Sequence, residues 1–168
     1  EEVDTVLESW NVFTGVTKSG VNKGKPSIAA RLHRNSAILL TERKGLNEQD
    51  RRILGVYMVK EDFIGKLSTD GIVPAHATYK ISLTEEESNQ LLFWNYYTYK
   101  NAPEKLSWNT GKYRYFNNAW MAQILRDIIE LKQDESEKEH AKRFLSYYSK
   151  MNQISINEID PPNGVLAV

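Results

Sequence analysis

The chain has 168 residues, with four Trp, nine Tyr, no Cys, and 22 basic residues against 22 acidic ones. At this length one domain can bury roughly 70% of the surface its unfolded chain exposes, so disulfide or metal support is not needed. The charge balance excludes a uniformly basic nucleic-acid coat, and the lack of Cys excludes disulfides, zinc–thiolate sites and thiol nucleophiles. No apolar run approaches the ~18 residues of a membrane span, and the acidic start Glu1-Glu2-Val3-Asp4 is the opposite of a basic signal peptide. A cytoplasmic protein with no membrane partner is expected. Its first residue is not Met, which points to a piece of a longer chain whose other domains are candidate partners.

In chain order, strand-like segments precede helix-like ones, the order of an α+β domain. Ser9–Val16 reads as the first strand. Thr17–Pro26, with Gly20, Gly24 and the terminal Pro26, reads as a basic surface loop. Ser27–Leu32 fits a strand or a short helix, and Ala37–Thr41 a short buried strand followed by a charged loop, Glu42–Asp50. The nearly continuous apolar run Arg52–Val59 predicts a strand covered on both faces, and its internal Gly55 predicts a bulge or bend. Ile72–Leu83 alternates as an extended segment. Thr84-Glu85-Glu86-Glu87 is a capping box, predicting a helix from there to about Lys100, stopped at Asn101-Ala102-Pro103. Trp108–Gly111 reads as a turn and Lys112–Phe116 as a short strand or extended loop. Helices are predicted over Asn118–Lys132 and Ser136–Met151 from apolar stripes of 3.6-residue period. One domain over 1–158 is expected, with 159–168 as a tail or linker start.

Most chemical motifs fail on detail. Gly15 and Gly20 have phosphate-loop spacing, but Val21-Asn22 follow where such a loop needs Lys-Ser/Thr. His33, His76 and His140 form no short metal-ligand spacing, there is no G-x-S-x-G elbow, and no metal or cofactor is expected. Asp127, Glu130 and Lys132 resemble the acidic-x-Lys end of a metal-dependent nuclease, the rival enzymatic reading, but helical periodicity spreads them around a helix. A third reading is a protein-interaction domain using the helical half.

Two features survive. Between residues 18 and 52, Lys18, Lys23, Lys25, Arg31, Arg34, Arg43, Lys44, Arg51 and Arg52 face only Glu42, Glu48 and Asp50, a local excess of six positive charges. Such a block can follow a phosphate backbone, or it can be ordinary solvated loop charge. The second is aromatic richness. Trp94, Tyr97 and Trp120 read as packing residues, whereas Trp10, Trp108, Tyr113 and Tyr115, beside Lys112 and Arg114, have the composition of a base-stacking site.

The Trp-containing first strand Ser9-Trp10-Asn11-Val12-Phe13, the Asn35-Ser36 corner leading into Ala37–Thr41, and the I-x-G-x-x-x-V strand Ile53–Val59 together resemble the PUA-like superfamily, especially its EVE, YTH and ASCH branches. The resemblance covers roughly residues 9–83. It implies a small curved, barrel-like mixed β-sheet flanked by helices, and a nucleic-acid or modified-base reader with an aromatic pocket, such as the specificity part of a restriction or RNA-processing protein. Trp10 and Asn35-Ser36 map onto its pocket-forming parts. Many EVE-like members carry Gly-Asp at the Asn35-Ser36 position, and the helical half here is longer than the minimal domain. The sequence reading is therefore a non-enzymatic module for DNA or RNA. Trp10, Asn35, Ser36, Trp108, Tyr113 and Tyr115 would hold a base, and Lys18, Lys23, Lys25, Arg31, Arg34, Arg43 and Arg114 would hold phosphate.

Overall fold

A computed structural model describes residues 9–13, 20–21, 23–25, 32–67, 70–108 and 113–167. Strands β1 (Asn11–Phe13), β2 (Ala37–Arg43), β3 (Arg51–Val59), β4 (Ile72–Ser82) and β5 (Tyr113–Phe116) form one sheet in the order β1-β4-β3-β2-β5. Helices α1 (Glu85–Asn89), α2 (Ala119–Leu131) and α3 (Glu135–Met151) come from the second half, so the class is α+β as expected. Closure into the expected barrel-like mixed sheet is not seen among the described strands. Every described pairing is antiparallel, and the two short edge strands, β1 and β5, are not paired with each other, so the described sheet is open.

The expectation at Gly55 holds in detail. Leu40 pairs with Gly55 while Thr41 pairs with Ile53, which leaves Leu54 as the extra residue of a bulge. One extra residue reverses the alternation of a strand, and that is how Ile53, Val56 and Met58 come to lie in the same core. With Ala37 and Leu39 they meet the helical layer, where α2 buries Met121, Ile124, Leu125 and Ile128 and α3 buries Phe144, Leu145 and Tyr148. Each such side chain contributes about 1.5–3 kcal/mol on burial. Residues of opposite parity, Ile38, Leu40, Tyr57 and Val59, form a second core with Val12, Leu32, Phe63 and Val73. β3 is thus covered on both faces, as its continuous apolar run requires.

The capping box forms as predicted: the Glu87 N–H donates to the Thr84 hydroxyl, and the Glu87 carboxylate accepts the Thr84 N–H. The helix it starts nevertheless ends at Asn89 instead of about Lys100. Beyond it a single 3-10 turn, Phe93–Asn95, keeps local bonds, and several backbone groups bond to distant partners instead. Leu91 O accepts the Ile53 N–H, and Trp94 O, Asn95 O and Tyr97 O accept the N–H groups of Leu166, Gly164 and Val165 at 2.8–3.1 Å. Tertiary hydrogen bonds have replaced the helical ladder.

Those bonds also seat residues 159–167, expected as a tail, on the domain. Ile159 is buried, and the Arg126 guanidinium donates to Ile159 O at 2.7 Å and Asp160 O at 2.8 Å. Gly164 lies so close to the 94–96 backbone that a β-carbon would come within 2.5 Å of Asn95 C and Tyr96 N. Only glycine allows that approach.

At the start of α3, Lys132 follows α2 as its C-cap and is buried. Its ammonium donates to Glu87 at 3.0 Å and to Ser82 O at 3.4 Å, and lies 3.7 Å from Glu137. Partial burial alone would raise the Glu87 carboxyl. The Thr84 N–H, Lys132 and the Thr84 hydroxyl outweigh it and hold the group below its ordinary value of 4.5.

Candidate nucleic-acid interface

Four separate elements meet at the Ala37 end of β2. The first is the turn His33-Arg34-Asn35-Ser36, closed by the Ser36 N–H on His33 O at 2.9 Å, a role suited to Asn and Ser. It presents Arg34 exposed and Asn35 half-buried. The second runs from Phe63 to Leu67. His33 bridges to Ile64, and the short turn Gly65–Leu67 carries Lys66 exposed. The third is set by strand register: Ala37 pairs with Phe116, so Asn117 follows β5 beside the start of β2. The fourth is the end of α3, where Asn152 is the C-cap and its side-chain amide donates to Asn35 O at 2.9 Å.

Together these enclose a cavity of about 630 Å³, lined by His33, Arg34, Asn35, Phe63, Lys66, Asn117 and Asn152 among others. That size lies within the roughly 300–1,000 Å³ of small-molecule sites. No carboxylate is among its described lining residues. Among the described residues neither Arg34 nor Lys66 has a hydrogen bond or ion pair from its side chain. Two uncommitted cations and three carboxamides therefore converge on one concavity, a combination that can hold a phosphate and hydrogen-bond a heterocycle beside it.

The remaining expected site residues are distributed elsewhere. Ser36 is fully buried and its hydroxyl makes no hydrogen bond, so it is not available to a base edge. Trp10 lines a different cavity, of about 620 Å³, with Lys80, His140 and Arg143 but also Glu137 and Glu139. Its φ of 55° is rare for a bulky residue. That conformation brings Trp10 O to the Ala75 N–H and the Trp10 ring edge-on to Tyr57 at 6.1 Å. Trp108 packs edge-on against Phe93 at 5.0 Å, with the Arg51 guanidinium 4.2 Å and that of Arg114 5.1 Å from its ring. Arg114 also lies 4.3 Å from the Tyr97 ring. Trp108 and Arg114 thus belong to an internal cation–aromatic cluster and not to a stacking pocket with Asn35. Tyr115, from the opposite face of β5, is 36% exposed. Lys23 and Lys25 are exposed on a turn in which Gly20 and Gly24 take positive φ. Lys18, Arg31 and the side chain of Tyr113 lie outside the described residues.

The expected run of basic residues is also divided. Arg51 is bonded to Glu48 at 2.5 and 3.2 Å and to the Thr41 hydroxyl at 3.0 Å. Arg43 lies 3.9 Å from the same Glu48, which accepts the Trp94 indole N–H as well. Arg52 contacts Asn89, Glu42 and Glu85, and Lys44 donates to Asn89. Arg43, expected on phosphate, is half-exposed and turned toward Glu48 and Leu46 O, at 3.9 and 3.3 Å.

The nuclease residues do not assemble. Asp127 accepts the Tyr96 hydroxyl at 2.6 Å and shares a groove with Glu130, whereas Lys132 points into the Glu87–Glu137 pair. Burial and then the Asp127 bond raise the Tyr96 pKa well above its ordinary value. Among the described residues no three His, Asp or Glu side chains gather to hold a metal ion. Of the lining residues, Arg34 and Asn35 are expected from the sequence, whereas Phe63, Lys66, Asn117 and Asn152 are not. The one usable signal for these is positional, since Asn is a common residue where helices end.

No family model matches the chain, and no curated protein or solved structure matches it.

Proposed function

We propose that this chain is a nucleic-acid binding module that admits a single unstacked nucleotide of DNA or RNA into the cavity at the start of β2. The observation that carries this reading is the joint presence of Arg34 and Lys66, both without acidic partners, around a concave lining of carboxamides and no described carboxylate. Arg34 and Lys66 bind the phosphate, Asn35 hydrogen-bonds the base, and the exposed Lys23 and Lys25 extend the electropositive surface. The PUA-like resemblance agrees with this assignment at the Asn35-Ser36 corner, one side of which lines the cavity. A barrel-like completion of the sheet, reading of a modified base and a cytoplasmic setting belong to the same proposal.

The test is binding of short DNA and RNA oligonucleotides by fluorescence anisotropy at two salt concentrations. Wild-type affinity falls steeply with salt. The double variant Arg34→Ala/Lys66→Ala binds about tenfold or more weakly and has a shallower salt dependence, by roughly 0.7 in logarithmic slope per lost phosphate contact on single strands. The charge-matched double variant Arg43→Ala/Lys44→Ala binds as wild type. Equal losses in the two double variants, or no binding to any oligonucleotide, overturn the reading.

A further inference from the structure

We infer that the cavity selects a base carrying an exocyclic amino group, and that the side-chain oxygen of Asn152 reads it. This rests on the function proposed above. Asn152 is pinned in both backbone and side chain. As the α3 C-cap its N–H bonds to Tyr148 O at 3.0 Å, and its amide nitrogen donates to Asn35 O at 2.9 Å and to Tyr148 O at 3.0 Å. A carboxamide nitrogen has two hydrogens, and both are used. Rotating the amide would set Oδ1 against two carbonyl oxygens, so its orientation is fixed by chemistry. The oxygen is then the polar atom Asn152 has left, and no donor among the described residues reaches it.

Its neighbours sharpen the selection. Arg34 and Lys66 are pure donors. The side chains of Asn35 and Asn117 make no hydrogen bonds among the described residues, so each can turn either its oxygen or its nitrogen to a ligand. Asn152 alone among the lining amides offers a single sense. It also sits at the carbonyl end of the 17-residue helix α3, where the helix dipole favours a partly positive group. Adenine, cytosine and guanine supply such an N–H. Uracil, thymine and hypoxanthine place a carbonyl oxygen where the amine would be, so at that position the Asn152 oxygen faces a like partner, and their ring N–H lies one atom away. A site that must hydrogen-bond an amine discriminates against an analogue without it far more strongly than an apolar pocket discriminates by size.

The experiment uses oligouridine 11-mers, and their oligothymidine counterparts, whose central residue is adenosine, cytidine, inosine or the tract's own base. Adenosine against inosine reverses the edge at one position, since an amino group becomes an oxo group and N1 gains a hydrogen, while ring size and shape are kept. Wild type binds the adenosine and cytidine oligomers about tenfold more tightly than the inosine and unsubstituted ones. In Asn152→Ala the adenosine-to-inosine ratio collapses toward one, whereas in Arg34→Ala both affinities fall together and the ratio is kept. Equal wild-type binding of adenosine and inosine overturns the inference and leaves the binding module standing. So does a ratio unchanged in a folded Asn152→Ala, with folding checked by thermal melting. Failure of every oligomer to bind overturns both.

Discussion

At the Arg43 end of β2, the guanidinium groups of Arg43, Arg51 and Arg52 are engaged by Glu48, Glu42, Glu85 and Asn89. At the Ala37 end, about 20 Å away for a strand of this length, Arg34 and Lys66 have no side-chain partner among the described residues. The two ends carry cations of the same kind under opposite constraints. Where a charge is paired and half-buried, it holds the fold together and contributes little outward field. Where it is exposed and unpaired at a concave surface, it can exchange its water for a ligand's oxygen. Charge counted along a chain measures neither condition.

The largest effect belongs to the paired end. Arg51→Ala removes three hydrogen bonds and the guanidinium over Trp108, leaving Glu48 with fewer partners, and costs about 3 kcal/mol in urea unfolding. A loss below about 1 kcal/mol would erase the contrast. Glu87→Gln, which weakens the hold on buried Lys132, costs about 2 kcal/mol. This contribution depends on pH with a definite sign. Because the folded Glu87 carboxyl titrates below 4.5, its stabilisation is complete above that pH and is lost as pH falls through the lowered folded value. The Glu87→Gln protein therefore loses less stability on acidification than wild type, and a difference of the opposite sign contradicts the assignment. Arg34→Ala/Lys66→Ala follows, with its tenfold weaker binding and a stability within about 0.5 kcal/mol of wild type. Arg43→Ala has the smallest effect, at most about 0.5 kcal/mol, since its ion pair is long and half-exposed.

Regular elements were legible because their signals are local. The bulge at Gly55, the capping box at Thr84 and the apolar stripes of α2 and α3 each announce themselves within a few residues. Residues 90–100 were misread for the converse reason. Their helical start was genuine, but their carbonyl partners come from Gly164–Leu166, which no local period encodes. The site divides the same way. Arg34 and Asn35 share a turn and were found together. Lys66, Asn117 and Asn152 reach the cavity through a bridge at His33, a strand register and a helix end, so their spacing in the chain carries no signature. The packing of Arg114 on Trp108 and Tyr97 has no signature in composition, which does not distinguish a free aromatic ring from one that a guanidinium already covers.

The contact at Gly164 bears on the order in which the molecule is assembled. During synthesis the 94–97 backbone emerges long before residues 164–166, and the Trp94, Asn95 and Tyr97 carbonyls have their partners only there. A nascent chain halted between those points exposes a Trp- and Tyr-rich surface, which favours retention by chaperones or aggregation. Completion of the aromatic core is thus a late event gated by one residue without a side chain.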